Sequence, residues 1–351
     1  MQQLMVLSDR RLEWRDVIAP KLVHPTDALV RPVALAICDA DIAYLKGALP
    51  ARDAFCFGHE FVADVVETGE DVNAFSRGDR VVVSFLIACG SCVRCKRGFP
   101  AACTTVPPKS AYGFGIFGDW GGAASDLVRV PFANTMMIKL PVGVSAVDAA
   151  SVGDNLSDAF RCVADGLRED PGAPVLIVGG GGRLPSVSLY AAALARALGS
   201  EQVDVIDSDP VRLSIAESLG ANAIEMHKAP SRFGSHLVTA DTSGHPSGEG
   251  LSTALRSTAT YGRCTSCGIY HGATSLPLGA MYEQGVNFTI GWTNVQMLMP
   301  KVLDLLAQRR VPVERIHTVA RWEEIIDALI DPPAKLIVAR DDAYKPSVAT
   351  V

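Results

Sequence analysis

The sequence predicts an α/β chain of two domains, one β-rich and one built on a doubly wound parallel sheet, and three observations predict it. A length of 351 residues exceeds what one ordinary core fills and divides into about two domains of roughly 150 residues. The first half alternates short apolar runs, such as Ala28-Leu29-Val30 and Phe61-Val62-Ala63-Asp64-Val65-Val66, with Gly, Pro and Asp, which is the texture of irregular β structure. From about Ser157 the pattern becomes apolar strand, glycine cluster, alanine-rich helix and another apolar strand, the βαβ unit of a parallel sheet.

In order along the second half, Val175-Leu176-Ile177-Val178 reads as a buried strand, Ser188 to Leu198 as a helix packed on a sheet, and Val203-Asp204-Val205-Ile206 as the next strand. Leu251 to Thr258 reads as helix, Cys264 to Ile269 and Val286 to Ile290 as strands, and Met297 to Gln308 as a last helix before the strand Lys335-Leu336-Ile337-Val338. With 48% hydrophobic and 20% charged residues the chain is globular, since a disordered one buries too little apolar surface to offset its ordering entropy. A net charge of −6 removes the electrostatic reason to expect nucleic acid or an anionic membrane, which need clustered Lys and Arg. Charges occur early in MQQLMVLSDRRLEWRDV and no apolar run approaches the roughly 18 residues of a spanning helix, so a cytoplasmic protein is expected.

The nine cysteines are unevenly spread. Cys89, Cys92, Cys95 and Cys103 form C-x2-C-x2-C-x7-C, and four thiolates on one short loop can close a tetrahedral shell around Zn²⁺. Four free surface thiols would be an oxidation hazard, and an iron–sulfur cluster has a different spacing with a trailing Cys-Pro. A closed shell has no vacancy for substrate, so this zinc is structural. Cys38 and, some twenty residues on, Gly58-His59-Glu60 offer thiolate, imidazole and carboxylate at predicted strand ends. By themselves these residues are equally at home in a core or on a surface.

Gly179-Gly180-Gly181-Gly182-Arg183-Leu184 lies between a strand and a helix, where Gly179, Gly181 and Gly182 allow a tight turn and backbone approach to a pyrophosphate. The third glycine of G-x-G-x-x-G is replaced by Leu184, and Pro185 follows. Asp207 and Asp209 end the next strand, where a carboxylate can bond a ribose 2′-hydroxyl and repel a 2′-phosphate; NAD(H) is favoured over NADP(H), with Arg212 as the residue that could pair with phosphate instead.

The order of these motifs, Gly58-His59-Glu60, then Gly69, Val72, Phe75 and Gly78-Asp79-Arg80-Val81, then the four-cysteine loop and the glycine-rich βαβ unit, resembles the zinc-containing medium-chain dehydrogenase/reductase, or alcohol dehydrogenase-like, family over nearly the whole chain. The resemblance implies a GroES-like, partly open β-barrel catalytic domain, 1–156 and 297–351, with a Rossmann NAD-binding domain at 157–296. It implies a catalytic zinc bound by Cys38, His59 and Asp154, with Glu60 an alternate or nearby ligand and Asp41 orienting the histidine. It places Phe85 in the substrate pocket, with Trp120 in a glycine-rich loop that approaches it, although either ring could equally be an aromatic anchor. Hydride transfer between a primary or secondary alcohol, or polyol, and NAD is the implied activity, and a homodimer or homotetramer the implied assembly, with Val286 to Ile290 as an intersubunit edge strand.

The chain also departs from the family. Ala40 and Ala43 stand where relatives carry the Ser or Thr and the His that relay the alcohol proton, and neither alanine side chain can donate or accept one. Asp39, Tyr44, Glu60 or water would have to serve. The departure keeps open a zinc lyase or isomerase on the same fold and, less well supported by the ligand set, a zinc-stabilised binding protein without catalysis.

Overall fold

The computed structural model describes residues 1–115, 117–180, 185–270 and 272–343. The chain divides into two compact units, one of Met1–Ser157, Thr293–Gln308 and His317–Val351, the other of Asp158–Trp292 and Arg309–Ile316. The return to the first unit therefore comes at Thr293 instead of residue 297, and Arg309–Ile316 clusters with the second unit. The cause is helix-end chemistry. The guanidinium of Arg310 bonds the Ala197 carbonyl and that of Arg315 the Ser218 carbonyl at 2.6 Å, so two cations satisfy the C-terminal ends of the helices Pro185–Ala197 and Pro210–Ser218.

In the first unit a seven-stranded mixed sheet carries the core, in the order Thr318–Arg321, Leu336–Ala339, Ala28–Ala36, Glu60–Thr68, Arg80–Val83, Met137–Lys139, with Val128–Val130 also on Ala28–Ala36. Ala28–Ala36 is central and reads as a nearly continuous apolar run because both its faces are covered. Its register shifts between Pro32 and Ala34, where proline cannot donate to the ladder. Leu35, Phe57, Phe61, Tyr112 and Met136 are fully buried around it. A three-stranded antiparallel sheet, Leu12–Asp16, Gln2–Val6 and Phe55–Cys56, completes the unit.

In the second unit six strands lie parallel in the order Asn222–Glu225, Val203–Asp207, Val175–Val178, His236–Asp241, Thr258–Ser266, Asn287–Ile290. The chain winds outward from Val175–Val178 in one direction and then, from His236–Asp241, in the other, the arrangement of a doubly wound sheet. The expected helix at Ser188–Leu198 spans Pro185–Ala197 and is buried from Ser186 to Ala195, its alanines permitting close approach to the sheet. The strands Asn222–Glu225 and His236–Asp241 have no counterpart in the sequence reading, the first because only part of Asn-Ala-Ile-Glu is apolar. No helix among the described residues is long and apolar enough to cross a membrane.

Candidate active site and metal centres

The loop carrying Cys89, Cys92, Cys95 and Cys103 folds on itself so that all four Sγ atoms lie within 4.8 Å of one another. Gly90 makes the turn possible: its φ is +72°, and a Cβ there would lie 2.2 Å from Thr135 Oγ1. The sulfurs already accept hydrogen bonds, Cys89 Sγ from Thr105 Oγ1 at 3.1 Å and from the Cys92 amide at 3.3 Å. Backbone amides of Thr104 and Cys95 pull the Cys92 thiol down to about 5, which favours the thiolate a metal needs. The donor set fits a closed Zn(Cys)₄ shell with no position left for substrate. Replacing Cys103 by Ser is expected to lower the zinc content by about one per chain and the thermal midpoint by about 5–10 °C, the effect of losing 2–4 kcal/mol in a unit of this size, as calorimetry will read.

The second group assembles from three distant segments. Cys38 follows the strand Ala28–Ala36 and caps the helix Asp39–Leu45, His59 leads into the strand Glu60–Thr68 after the left-handed Gly58, and Asp154 precedes the helix Asn155–Glu169. Asp154 Oδ2 lies 3.4 Å from Cys38 Sγ and 3.3 Å from His59 Nε2. Tetrahedral zinc with ordinary bond lengths has ligand-to-ligand edges of about 3.3–3.6 Å, so the three donors fit one ion. Asp154 thus aims Oδ2 at the other two donors. His59 Nδ1 is buried without a hydrogen bond and faces Asp41 Oδ2 at 3.7 Å, the arrangement in which a carboxylate orients a ligating imidazole. Burial lifts the Asp41 carboxyl to about 6, against the pull of His59.

Glu60 belongs to the same buried group, yet its two oxygens are engaged elsewhere. Lys335 Nζ donates to Oε1 at 3.0 Å and to Oε2 at 3.1 Å, and Ser151 Oγ donates to Oε2. Burial raises the Glu60 carboxyl to about 7 in spite of Lys335. The lysine also donates to Asn155 Oδ1 at 2.9 Å, while Asn155 Nδ2 donates to Asp154 Oδ2 at 3.1 Å and to Cys38 Sγ at 3.4 Å. Lys335, Asn155 and Ser151 were not found from sequence. The one available signal was a lysine at the head of the apolar run Leu336-Ile337-Val338-Ala339.

Phe85 stands beside His59, ring centroids 5.7 Å apart, and Phe114, which sequence reasoning missed, is closer at 4.3 Å. Trp120 stands beside Arg129. Its ring lies 5.9 Å from the Arg129 guanidinium and lines a cavity of about 570 Å³ with His24, Pro25, Pro107 and Phe132.

In the second unit Gly179 and Gly180 leave the strand Val175–Val178, Gly180 at φ +83°; Gly181 and Gly182 lie outside the described residues. A Cβ on Gly179 would lie 2.8 Å from Asp207 Oδ2 and 2.9 Å from Ser188 Oγ, so the first glycine is required by close approach. Asp207 ends the strand Val203–Asp207 and is clamped by Arg212 through Nε at 3.0 Å and Nη2 at 2.6 Å. Asp209 caps the helix Pro210–Ser218, its Oδ1 accepting from the Val211 and Arg212 amides. Cys264 and Cys267 are buried in and just after the strand Thr258–Ser266, as small apolar residues would be.

A doubly wound sheet with a glycine turn, carried in one chain with a Cys-His-Asp donor group and a four-cysteine lobe, defines the class of zinc-containing dehydrogenases with a dinucleotide fold. The comparisons agree, and the chain belongs to the zinc-type medium-chain dehydrogenase/reductase family. Residues 24–142 match the alcohol dehydrogenase GroES-like domain. The chain is 31% identical over 279 residues, 75% of its length, to a medium-chain reductase/dehydrogenase of Acremonium sp., of which 92% is covered. It is 33% identical over 239 residues to a glutathione-independent formaldehyde dehydrogenase of Pseudomonas aeruginosa, covering 64% of this chain but only 58% of that protein. Among solved structures, an alcohol dehydrogenase from Thermus sp. ATN1 superposes with a TM-score of 0.84 at 31% identity, over 97% of this chain and 100% of that one. The expected fold class, GroES-like β domain plus Rossmann parallel-sheet domain, is the one found.

Proposed function

We propose that this chain is a zinc-dependent oxidoreductase that transfers a hydride between a primary or secondary alcohol, or a polyol, and NAD, or runs the reverse carbonyl reduction. The observation that carries the reading is the convergence of Cys38, His59 and Asp154 while Lys335 and Ser151 hold Glu60, which supports these three residues as the ones that would hold a zinc ion. A zinc ion held there supplies Lewis acidity toward a carbinol or carbonyl oxygen, the chemistry that hydride exchange with a nicotinamide requires. Asp41 fixes the orientation of His59, and Asn155 steadies Asp154 and Cys38. Of the groups that could take the alcohol proton, Glu60 is committed to Lys335 and Ser151. Asp39, Tyr44 or water then carries the proton. The second zinc, in the four-cysteine lobe, is structural. The net charge of −6 supports a small-molecule substrate over a nucleic acid or anionic membrane partner. Asn287–Ile290 ends the six-stranded order with one neighbour, which supports a homodimer, or a homotetramer built from it.

The test is zinc content per chain with NAD(H) and NADP(H) titration on the same sample, followed by turnover of alcohols and carbonyls. About two zinc ions and oxidation coupled to cofactor absorbance support the reading; turnover without net cofactor change would mark a lyase or isomerase, and one zinc with no cofactor binding would end it. Asp207 makes NAD(H) the preferred cofactor by about 10–100-fold in kcat/KM, because a 2′-phosphate must displace its carboxylate from Arg212. Asp207→Ser releases that guanidinium and is expected to close most of the gap, chiefly through a lower KM for NADP(H).

A further inference from the structure

The turn from Ser151 to Asn155 carries three side chains to one buried place. The Asp154 and Leu156 amides close it on the Ser151 carbonyl, at 3.3 and 3.0 Å, and it leads into the helix Asn155–Glu169. Ser151 holds Glu60, and Asp154 belongs to the ligand group. Asn155 is the third, buried like the others. A side-chain amide can be placed either way round, and here Lys335 decides. An ammonium has only donors, so the atom 2.9 Å from Nζ is Oδ1, and Nδ2 is turned toward the ligands.

From there Nδ2 donates to Asp154 Oδ2 at 3.1 Å and to Cys38 Sγ at 3.4 Å. The two hydrogens of one amide thus reach the two anionic donors of the group, and Cys38 Sγ accepts another bond from the Ala40 amide at 3.4 Å. Hydrogen bonds to a ligating sulfur or carboxylate draw electron density away from a metal held there. The fully buried Lys335 adds to this effect, because its bond to Oδ1 polarises the amide and strengthens the N–H donors on the far side.

We propose that Asn155 is a positioning residue of the Cys38–His59–Asp154 site: oriented by Lys335, its amide withdraws charge from the thiolate and the carboxylate and makes a metal ion held by them a stronger Lewis acid. The proposal rests on the dehydrogenase reading and deepens it.

The experiment places Co²⁺ in the Cys38–His59–Asp154 group of the full chain, with zinc kept in the four-cysteine lobe, so that Cys38 is the one thiolate on cobalt. Wild type is compared with Asn155→Leu, which removes both ends of the amide without adding charge. Asn155→Asp is the second variant; it keeps the outline and the acceptor for Lys335 but loses the amide hydrogens. Metal content and thermal midpoint identify folded variants, and Asn155→Asp serves if Asn155→Leu does not hold metal. The sulfur-to-cobalt charge-transfer band is expected to move to longer wavelength in both variants, since a thiolate that has lost a hydrogen-bond donor gives up an electron more readily. With zinc in both sites, kcat for 1-butanol and NAD is expected to fall about 10–100-fold in both, with KM for the alcohol changed less than about threefold. A band that stays at the wild-type position in both variants overturns the proposal. Full kcat in Asn155→Asp with loss only in Asn155→Leu also overturns it, because the amide would then serve merely as an anchor for Lys335. The two readings separate cleanly. A shifted band in a chain that turns over no alcohol or aldehyde with either nicotinamide cofactor upholds the charge withdrawal and ends the dehydrogenase reading, whereas an unshifted band beside an active wild type ends the proposal alone. Absence of a sulfur band in the wild type removes Cys38 as a ligand and overturns both.

Discussion

Asp154→Asn is expected to lower kcat/KM by about 10³-fold and to reduce the zinc content from about two per chain to about one. The carboxylate Oδ2 lies 3.4 Å from Cys38 Sγ and 3.3 Å from His59 Nε2. An amide keeps its outline but brings a neutral, weakly ligating oxygen, so the ion would face one anionic ligand in place of two. Because Asn155 Nδ2 donates to the same oxygen, the amide can also turn and present its own N–H groups to the thiolate. Asp154→Cys supplies a thiolate instead and completes a Zn(Cys₂His) shell, another catalytic ligand set with an open position. It is expected to recover the second zinc and a substantial part of the rate. If Asp154→Asn keeps full activity and both ions, Asp154 is no ligand. Elemental analysis and steady-state kinetics on one preparation decide it.

Lys335→Met is expected to destabilise the first unit by about 3–5 kcal/mol, a fall of about 10 °C or more in thermal midpoint. Lys335 and Glu60 are both fully buried, and the ammonium spends its protons on Glu60 Oε1, Glu60 Oε2 and Asn155 Oδ1. Removing one partner leaves a buried carboxylate compensated by Ser151 alone, whereas removing both charges costs little. Lys335→Met with Glu60→Gln should therefore regain most of the loss. The effect depends on pH in a defined sense. Burial holds the Glu60 carboxyl up at about 7, above its unfolded value of about 4.3, so the native state binds the extra proton between those limits and stability falls as pH rises through them. Without Lys335 the carboxyl rises further, and the variant is expected to lose more at pH 8 than at pH 5.5, measured by thermal melts at equal zinc loading. Equal losses at both pH values would mean that the lysine acts through packing and not through its charge.

Much of the site was legible wherever the residues that act together are neighbours in the chain. The Cys89, Cys92, Cys95 and Cys103 lobe closes within one loop, and the glycine turn joins a strand to a helix. Asp207 and Arg212 are five positions apart at one strand end, close enough for the bidentate pair the structure contains. Legibility failed for residues whose role depends on a partner far along the chain. Phe114 is an ordinary aromatic in a glycine-rich loop until the packing of Gly113 on Gly58 sets its ring against His59. Trp120, a few residues on, stands with Arg129. The short strand Asn222–Glu225 was lost because an edge strand of a parallel sheet need not be apolar.

What the sequence by itself determined is the two-domain α/β class and the four-thiolate lobe. Each follows from spacing and periodicity over a few tens of residues, where chain connectivity leaves little conformational choice. Cys38, His59 and Asp154 could be proposed together only through the resemblance to a family, and their convergence within one buried group is a tertiary fact. The tertiary structure alone decided that Glu60 is drawn to a lysine 275 residues away. The reason is register: Leu336–Ala339 pairs antiparallel with Ala28–Ala36, and the Ile37 amide bonds the Leu336 carbonyl at 2.9 Å. That pairing brings Lys335 to the end of the sheet where Cys38 begins, and no local pattern encodes it.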